Sequence, residues 1–298
     1  MKAKRIVETG SDRVFTIMNY LILTLFTVSV LYPLVAVLSN SLSSPVAVGA
    51  GRVWLWPVEI SLEGYYKVFE YKKVWIGFGN SLYYTAIGTA VNIAFTLLAG
   101  YPLSRSDFFG RNIFMSLFVF TMIFHGGLIP TYMIVKELGL VNTRWAMIIP
   151  GALAVWNVII TRTYFKTTIP HEMLESAQMD GCSDFRFLFR MAIPLSAPII
   201  AVNALFYAVN HWNTYFQAMI YLSNAKLFPL QLVLREILVL SQVTPDMLDQ
   251  VTDAAKLDGM TDVLKYTLIV VSTLPLMLIY PFVQKHFVKG MMIGSLKG

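Results

Sequence analysis

Two groups of side chains in this 298-residue sequence have types and spacings that could do chemistry. The first is an acidic stretch punctuated by glycine, within residues 166–198. Pro170 stands where a helix takes its first residue, and Glu172 falls in the first turn, where the helix dipole favours an acid. The spacing predicts a helix from Pro170 to Asp180, with Met173, Leu174 and Ala177 on one face and Gly181 as its terminator. Ser183 can cap a second helix, with Phe185, Leu188, Phe189 and Ala192 at helical spacing, and Pro194 and Pro198 follow. A helix lying on lipid would carry Lys and Arg on its polar face. The first helix instead carries Glu172, Glu175 and Asp180, which suits docking to a protein.

The second group consists of amides and aromatics in apolar surroundings: Asn203, Tyr207, Asn210, Trp212, Asn213, Tyr215 and Gln217, with a weaker match at Trp156-Asn157. Aromatic faces combined with amides and hydroxyls are the groups that hold sugars. Asn203, Tyr207, Asn210 and Gln217 approximate one helical stripe. The stripe has two open readings, hydrogen bonding between helices or the lining of a solute path.

Absences narrow the chemistry. There is no Gly-Lys-Ser/Thr phosphate cradle, no Gly-x-Ser-x-Gly, no His-Glu-x-x-His, and only one cysteine, Cys182, at the glycine bend. No catalytic residue and no metal ligand is therefore assigned, and the chain is not expected to be an enzyme. The apolar stretches hold no carboxylate, only His125 and His211. Ion-coupled transporters place ionisable groups at such depths. Both histidines are read as packing or hydrogen-bonding groups. Gly126-Gly127 before Pro130 is expected to interrupt its stretch, as a hinge or as a place of close helix packing.

The elements that must position these groups follow from composition. Hydrophobic residues make up 56% of the chain, charged residues only 13%, and mean hydropathy is +0.63. Soluble domains carry about a quarter charged residues, so a disordered chain is excluded and a cytosolic enzyme disfavoured. The charge-free stretches predict six transmembrane helices at about 14–38, 78–103, 112–136, 145–165, 196–222 and 264–286. The first is too long for a signal-peptide core and is expected to remain as a helix; the alternative is a cleaved leader ending near Ala47-Val48-Gly49. Thirteen basic residues against seven acids fall on one side of this arrangement, ten against ten on the other. That asymmetry predicts both termini in the cytoplasm and explains the +6 net charge without nucleic acid. The chain reads as one membrane domain over 1–298, with the cytoplasmic elbow at 166–198, long outer loops at 39–77 and 223–263, and a tail at 287–298. The first loop is aromatic and the second acidic, so the second is either a solvated loop or an external docking surface.

Glu175-Ser176-Ala177, then Gly181, then Ile193-Pro194 resembles the Glu-Ala-Ala…Gly…Leu-Pro loop of bacterial ABC importer permeases. Ser176 replaces an Ala, Met191 an Ile and Ile193 a Leu, while the spacing from Gly to Pro is kept. His125-Gly-Gly-Leu-Ile-Pro130-Thr-Tyr, Leu138 to Trp145, Trp212-Asn213 and the tail Phe287 to Gly294 are similar to carbohydrate importer permeases of the maltose type. Within that group the chain is similar to the second membrane subunits of alginate-oligosaccharide importers.

The resemblance implies an all-α integral membrane fold of the type I importer class in a bacterial cytoplasmic membrane. It also implies a second permease subunit, two ATPase subunits that bind ATP and Mg, an external solute-binding protein that delivers oligosaccharide, and no cofactor in this chain. Glu172, Glu175, Ser176, Ala177, Asp180, Gly181 and Pro194 would then form the coupling element seated on the ATPase, with the tail reaching the same interface. No Lys or Arg lies mid-span, so selection of an acidic sugar would fall to the partner permease or the binding protein. The competing readings are an autonomous channel or facilitator, which leaves the elbow unexplained, and a membrane scaffold, which leaves the polar stripe unexplained.

Overall fold

The computed structural model describes residues 10–239 and 259–278. Those residues are helical and cluster into two units, one drawn from 1–71 with 242–271 and the other from 72–241 with 272–298.

The first unit begins with α1 (Gly10–Ser41), whose only buried residues are Ser39 and Ser41. A helix apolar on every side needs lipid or another subunit around it. Two short helices follow, α2 (Pro45–Gly49) and α3 (Glu63–Glu70). Serines organise the turn between them. Ser39 Oγ donates to the Leu55 carbonyl at 2.6 Å, Ser41 Oγ lies 2.9 Å from Tyr65 OH, and the Val58 amide donates to Ser43 Oγ at 3.0 Å. Ser44 accepts the Ala47 amide to cap α2 and donates to Glu59 at 2.7 Å. That hydrogen bond, then the charge of Arg52, holds the Glu59 carboxyl below its ordinary range. Trp54 and Trp56 stand exposed in this loop, as aromatics at a membrane–water boundary do.

The second unit is built on α4 (Lys72–Ser104), with α5 (Arg111–Ile123), α6 (Leu128–Glu137) and α7 (Val155–Thr168) following. Next come α8 (His171–Met179), α9 (Asp184–Phe187), a π-helical turn Leu188–Ala192, α10 (Ile193–Leu195) and α11 (Ala197–Trp212). Then α12 (Phe216–Tyr221) and α13 (Leu230–Val239) complete the run. The last described helix is α14 (Gly259–Leu278), whose residues are divided between the two units.

Every fourth residue of α4 from Asn80 to Gly100 is polar or small, and all are buried: Asn80, Tyr84, Gly88, Asn92, Thr96 and Gly100. Residues four apart share a helix face, so this stripe is where α4 receives its neighbours. Asn80 Nδ2 donates to the carbonyls of Lys226 (2.8 Å) and Phe228 (3.1 Å), and Tyr84 OH to that of Leu227 (2.8 Å). Gly88 leaves room for the His211 ring, where a Cβ would collide. His211 Nε2 bonds to Asn92 Oδ1 at 2.8 Å, and the Asn92 amide donates to the Gly151 carbonyl. Thr96 and Tyr207 hydroxyls pair at 2.7 Å, and Asn203 donates to Thr161 Oγ1 at 2.7 Å beside Gly100.

The expected helices at 112–136, 145–165 and 196–222 are each interrupted. The first becomes α5 and α6, bent by 115° about Phe124 to Gly127. Gly127 has φ +84°, and a Cβ there would meet nothing within 4 Å, so backbone freedom rather than close packing accounts for the glycine. The second keeps only a 3₁₀ turn at Arg144–Met147, and α7 starts beyond Pro150-Gly151. The third stops at Trp212, where Asn213 and Thr214 side chains hydrogen-bond the carbonyls of Val209 and Asn210. Such back-bonding competes with helix continuation. Among the described residues, three helices are long and apolar enough to cross a membrane, or five if each bent pair is one crossing. The expected stretch 279–286, the tail 287–298 and residues 240–258 of the acidic outer loop lie outside the described residues.

Asn92→Ala should lower stability by about 1–2 kcal/mol, because it orphans a buried imidazole and a buried carbonyl together. Gly88→Leu should cost more by driving a side chain into His211. Thermal unfolding of the detergent-purified variants measures both.

Candidate functional site

The elbow forms where expected, with Pro170 preceding α8 and Gly181 at φ +74° after it. Ser183 Oγ caps α9 by accepting the Arg186 amide at 3.4 Å. Leu174 and Ala177 of α8 and Phe187, Leu188 and Ala192 pack with Leu97 and Tyr101 of α4 and Phe165 of α7. The buried face differs from the expected one. Phe185 and Phe189 are 71% and 58% exposed, and Phe187 takes their place in the core. The π turn explains the change: its wider spacing puts residues five apart, Phe187 and Ala192, on one side. Met173 is also exposed.

Of the seven residues assigned to the elbow, Ala177 is buried, whereas Glu172, Glu175, Ser176, Asp180, Gly181 and Pro194 are exposed. Glu175 Oε1 lies 3.0 Å from His171 Nδ1, and Ser176 Oγ donates to the Glu172 carbonyl at 2.8 Å. The acids thus point away from the packed face.

Arg105, just past the end of α4, ties the elbow to the bundle. Its guanidinium donates to both carboxylate oxygens of Asp107 (2.9 and 2.7 Å) and to Tyr101 OH (3.0 Å), and lies 3.6 Å from Asp184 at the start of α9. Its side chain is only 11% exposed. The hydrogen bonds from Arg105 hold the Asp107 carboxyl below its ordinary range.

The solute-path candidates fall into two groups. Asn157, Asn203, Tyr207 and Trp212 are buried within the unit. Asn203 and Tyr207 are engaged as above, and Trp212 Nε1 donates to the Ser272 carbonyl at 2.9 Å. Trp156, Asn210, Asn213, Tyr215 and Gln217 are exposed. The helix break after Trp212 separates Gln217 from the stripe on α11. Sequence reasoning passed over the α4 stripe and Arg105. The four-residue recurrence of polar and small residues between Asn80 and Gly100 was the available signal for the first; the second carried no local signal beyond Arg105 standing two residues before Asp107.

A helical protein with apolar membrane-length helices, a buried polar stripe on α4 and an acidic elbow turned outward is built as a membrane protein subunit. The family model described as "Binding-protein-dependent transport system inner membrane component" matches residues 9–293, and the chain belongs to that family, the permeases of ABC importers. It is 39% identical over 291 residues to Protein LplC of Bacillus subtilis, covering 98% of this chain and 97% of that one. It is also 39% identical over 287 residues to the polygalacturonan/rhamnogalacturonan transport system permease protein YtcP of the same organism, covering 96% and 99%. A chain in the crystal structure of a bacterial ABC transporter involved in the import of the acidic polysaccharide alginate superposes with a TM-score of 0.85 at 33% identity, covering 95% of this chain and 99% of that one.

Gly181→Val should destabilise the elbow by about 1–2 kcal/mol through its left-handed backbone alone, since a Cβ there meets open space. Gly181→Asn should be tolerated better, and thermal unfolding distinguishes the two. Because the native Asp107 carboxyl has a lowered pKa, its pairing with Arg105 stabilises at neutral pH and is lost as pH falls through that native value. Asp107→Asn should therefore be less stable than wild type by under about 1 kcal/mol above the ordinary carboxylate range. The gap should close in acid, as read by unfolding across pH.

Proposed function

We propose that this chain is one permease subunit of an ATP-driven importer that takes oligosaccharide from an external binding protein into the cytoplasm. The observation that carries the reading is α8, a short helix whose apolar side is packed into the bundle while Glu172, Glu175 and Asp180 remain exposed. A helix anchored in that way can pass the motion of a partner to the membrane helices as a rigid lever. The partner is an ATPase dimer holding ATP and Mg, and a second permease completes the path. The chain makes six crossings, with α7 and the turn before it as the fourth, and both termini lie in the cytoplasm.

The solute is an oligosaccharide rich in uronate. Alginate and polygalacturonan are both uronate polymers, and they appear in the names of two well-covered neighbours. Trp156, Asn210, Asn213, Tyr215 and Gln217 are the residues offered to the sugar, because their side chains are exposed while Asn203, Tyr207 and Trp212 are buried within the unit. Mid-span positive charge is lacking, so selection of the acidic sugar belongs to the binding protein and the second permease.

Affinity purification of the tagged chain from native membranes should recover a second hydrophobic subunit and ATPase activity. Recovery of the chain alone would instead favour an autonomous channel. In the purified complex, Glu175→Arg should leave the binding protein less able to stimulate ATP hydrolysis and should cut uptake at least tenfold. Unchanged coupling would remove the elbow from the mechanism.

A further inference from the structure

A cavity of about 210 Å³ lies where the ends of three helices meet: the end of α4 at Ser104, the start of α5 at Arg111 and the end of α7 around Lys166. Its apolar floor is offered by Ile169 and Pro170, laid over the buried core residues Phe165, Leu174 and Phe187. Its rim carries Ser104, Ser106, Arg111, Lys166 and His171. The charge on that rim is unevenly committed. Arg105 also lines the cavity, but its guanidinium is occupied by Asp107, Tyr101 and Asp184. His171 is engaged by Glu175. Arg111 gives one N–H to the Arg105 carbonyl at 3.0 Å, and neither Arg111 nor Lys166 has a carboxylate partner among the described residues.

A cavity with an apolar floor, hydroxyls and two uncompensated cations at the level of the membrane surface has the chemistry of an amphiphilic anion. We propose that it binds the phosphate-bearing headgroup of an anionic phospholipid, with Lys166 and Arg111 on the phosphate and Ile169 and Pro170 against the glycerol and upper acyl carbons. Basic pockets between membrane helices take up acidic lipids in this way. A free phosphate ion would meet the same two cations but would leave the apolar floor uncovered. Because Pro170 and His171 open α8, a lipid seated there touches the first helix of the elbow and the bundle at once. Lipid composition would then bias how firmly the elbow is held.

The test uses the full-length chain with the subunits that copurify with it, in nanodiscs of phosphatidylcholine mixed with phosphatidylglycerol, and reads retained lipid by native mass spectrometry. This readout does not depend on transport, so it can fail while the importer reading stands, and the converse also holds. Phosphatidylglycerol should be retained over phosphatidylcholine, and Lys166→Gln and Arg111→Gln should each reduce that retention about fivefold. Lys166→Arg should preserve retention, and Lys226→Gln, on a distant exposed turn, should leave it unchanged. Lys166 is exposed, so its replacement leaves the fold intact even if Arg111→Gln does not. Equal retention of the two lipids, or wild-type retention in Lys166→Gln, would overturn the proposal. So would thermal stabilisation by millimolar inorganic phosphate, lost in Lys166→Gln, with no lipid retained; that result would transfer the site to a soluble phosphate.

Discussion

Inside a bilayer a polar side chain has no water to turn to, so each one carried into the membrane must find its partner within the protein. The α4 stripe is how this chain meets that constraint. Asn80, Tyr84, Asn92 and Thr96 recur at one helical spacing, with Gly88 and Gly100 on the same face leaving room for the His211 ring and the Thr161 side chain. Through these positions α4 collects the loop after α12, the His211 ring, the Tyr207 hydroxyl and the Thr161–Asn203 pair. Since apolar contact between helices is hardly better than apolar contact with lipid, directional bonds of this kind set which helices meet and in what register.

The elbow depends on the same helix. Leu97 and Tyr101 continue α4 beyond the polar stripe and receive Leu174, Ala177, Phe187 and Leu188. Arg105 then joins Tyr101, Asp107 and Asp184 at the helix end. The element that presents acids outward is thus seated on the element that organises the bundle, by apolar packing on one side and charge-assisted bonds on the other. Movement of α8 would press on α4 and α7 directly.

The breaks in the helices matter as much as the helices. Gly127 with φ +84°, the Pro150-Gly151 step before α7 and the back-bonded Asn213-Thr214 each end a helix that hydropathy alone would continue. In each case a local backbone or side-chain preference outcompetes one more turn of helix. Irregular backbone inside a bilayer is tolerated only where protein or a water-lined cavity surrounds it. Tyr215 and Gln217, just past the third break, are exposed, as is Trp156 just past the second.

Sequence alone determined the helical membrane class, the helix ended at Gly181 and the next one capped by Ser183, and the family. Charge depletion, helix caps and motif spacing are local properties, written in consecutive residues. Only the tertiary structure decided which polar residues are consumed inside the protein. Asn203 and Asn210 lie on the same helix and read alike, yet one is buried against Thr161 and the other is exposed. It also decided that Phe187 rather than Phe185 and Phe189 enters the core, because a single π turn shifts the face, and that Arg105 reaches Asp184 across 79 positions of chain. Those outcomes depend on which surfaces neighbouring helices offer, and no periodicity within one segment carries that information.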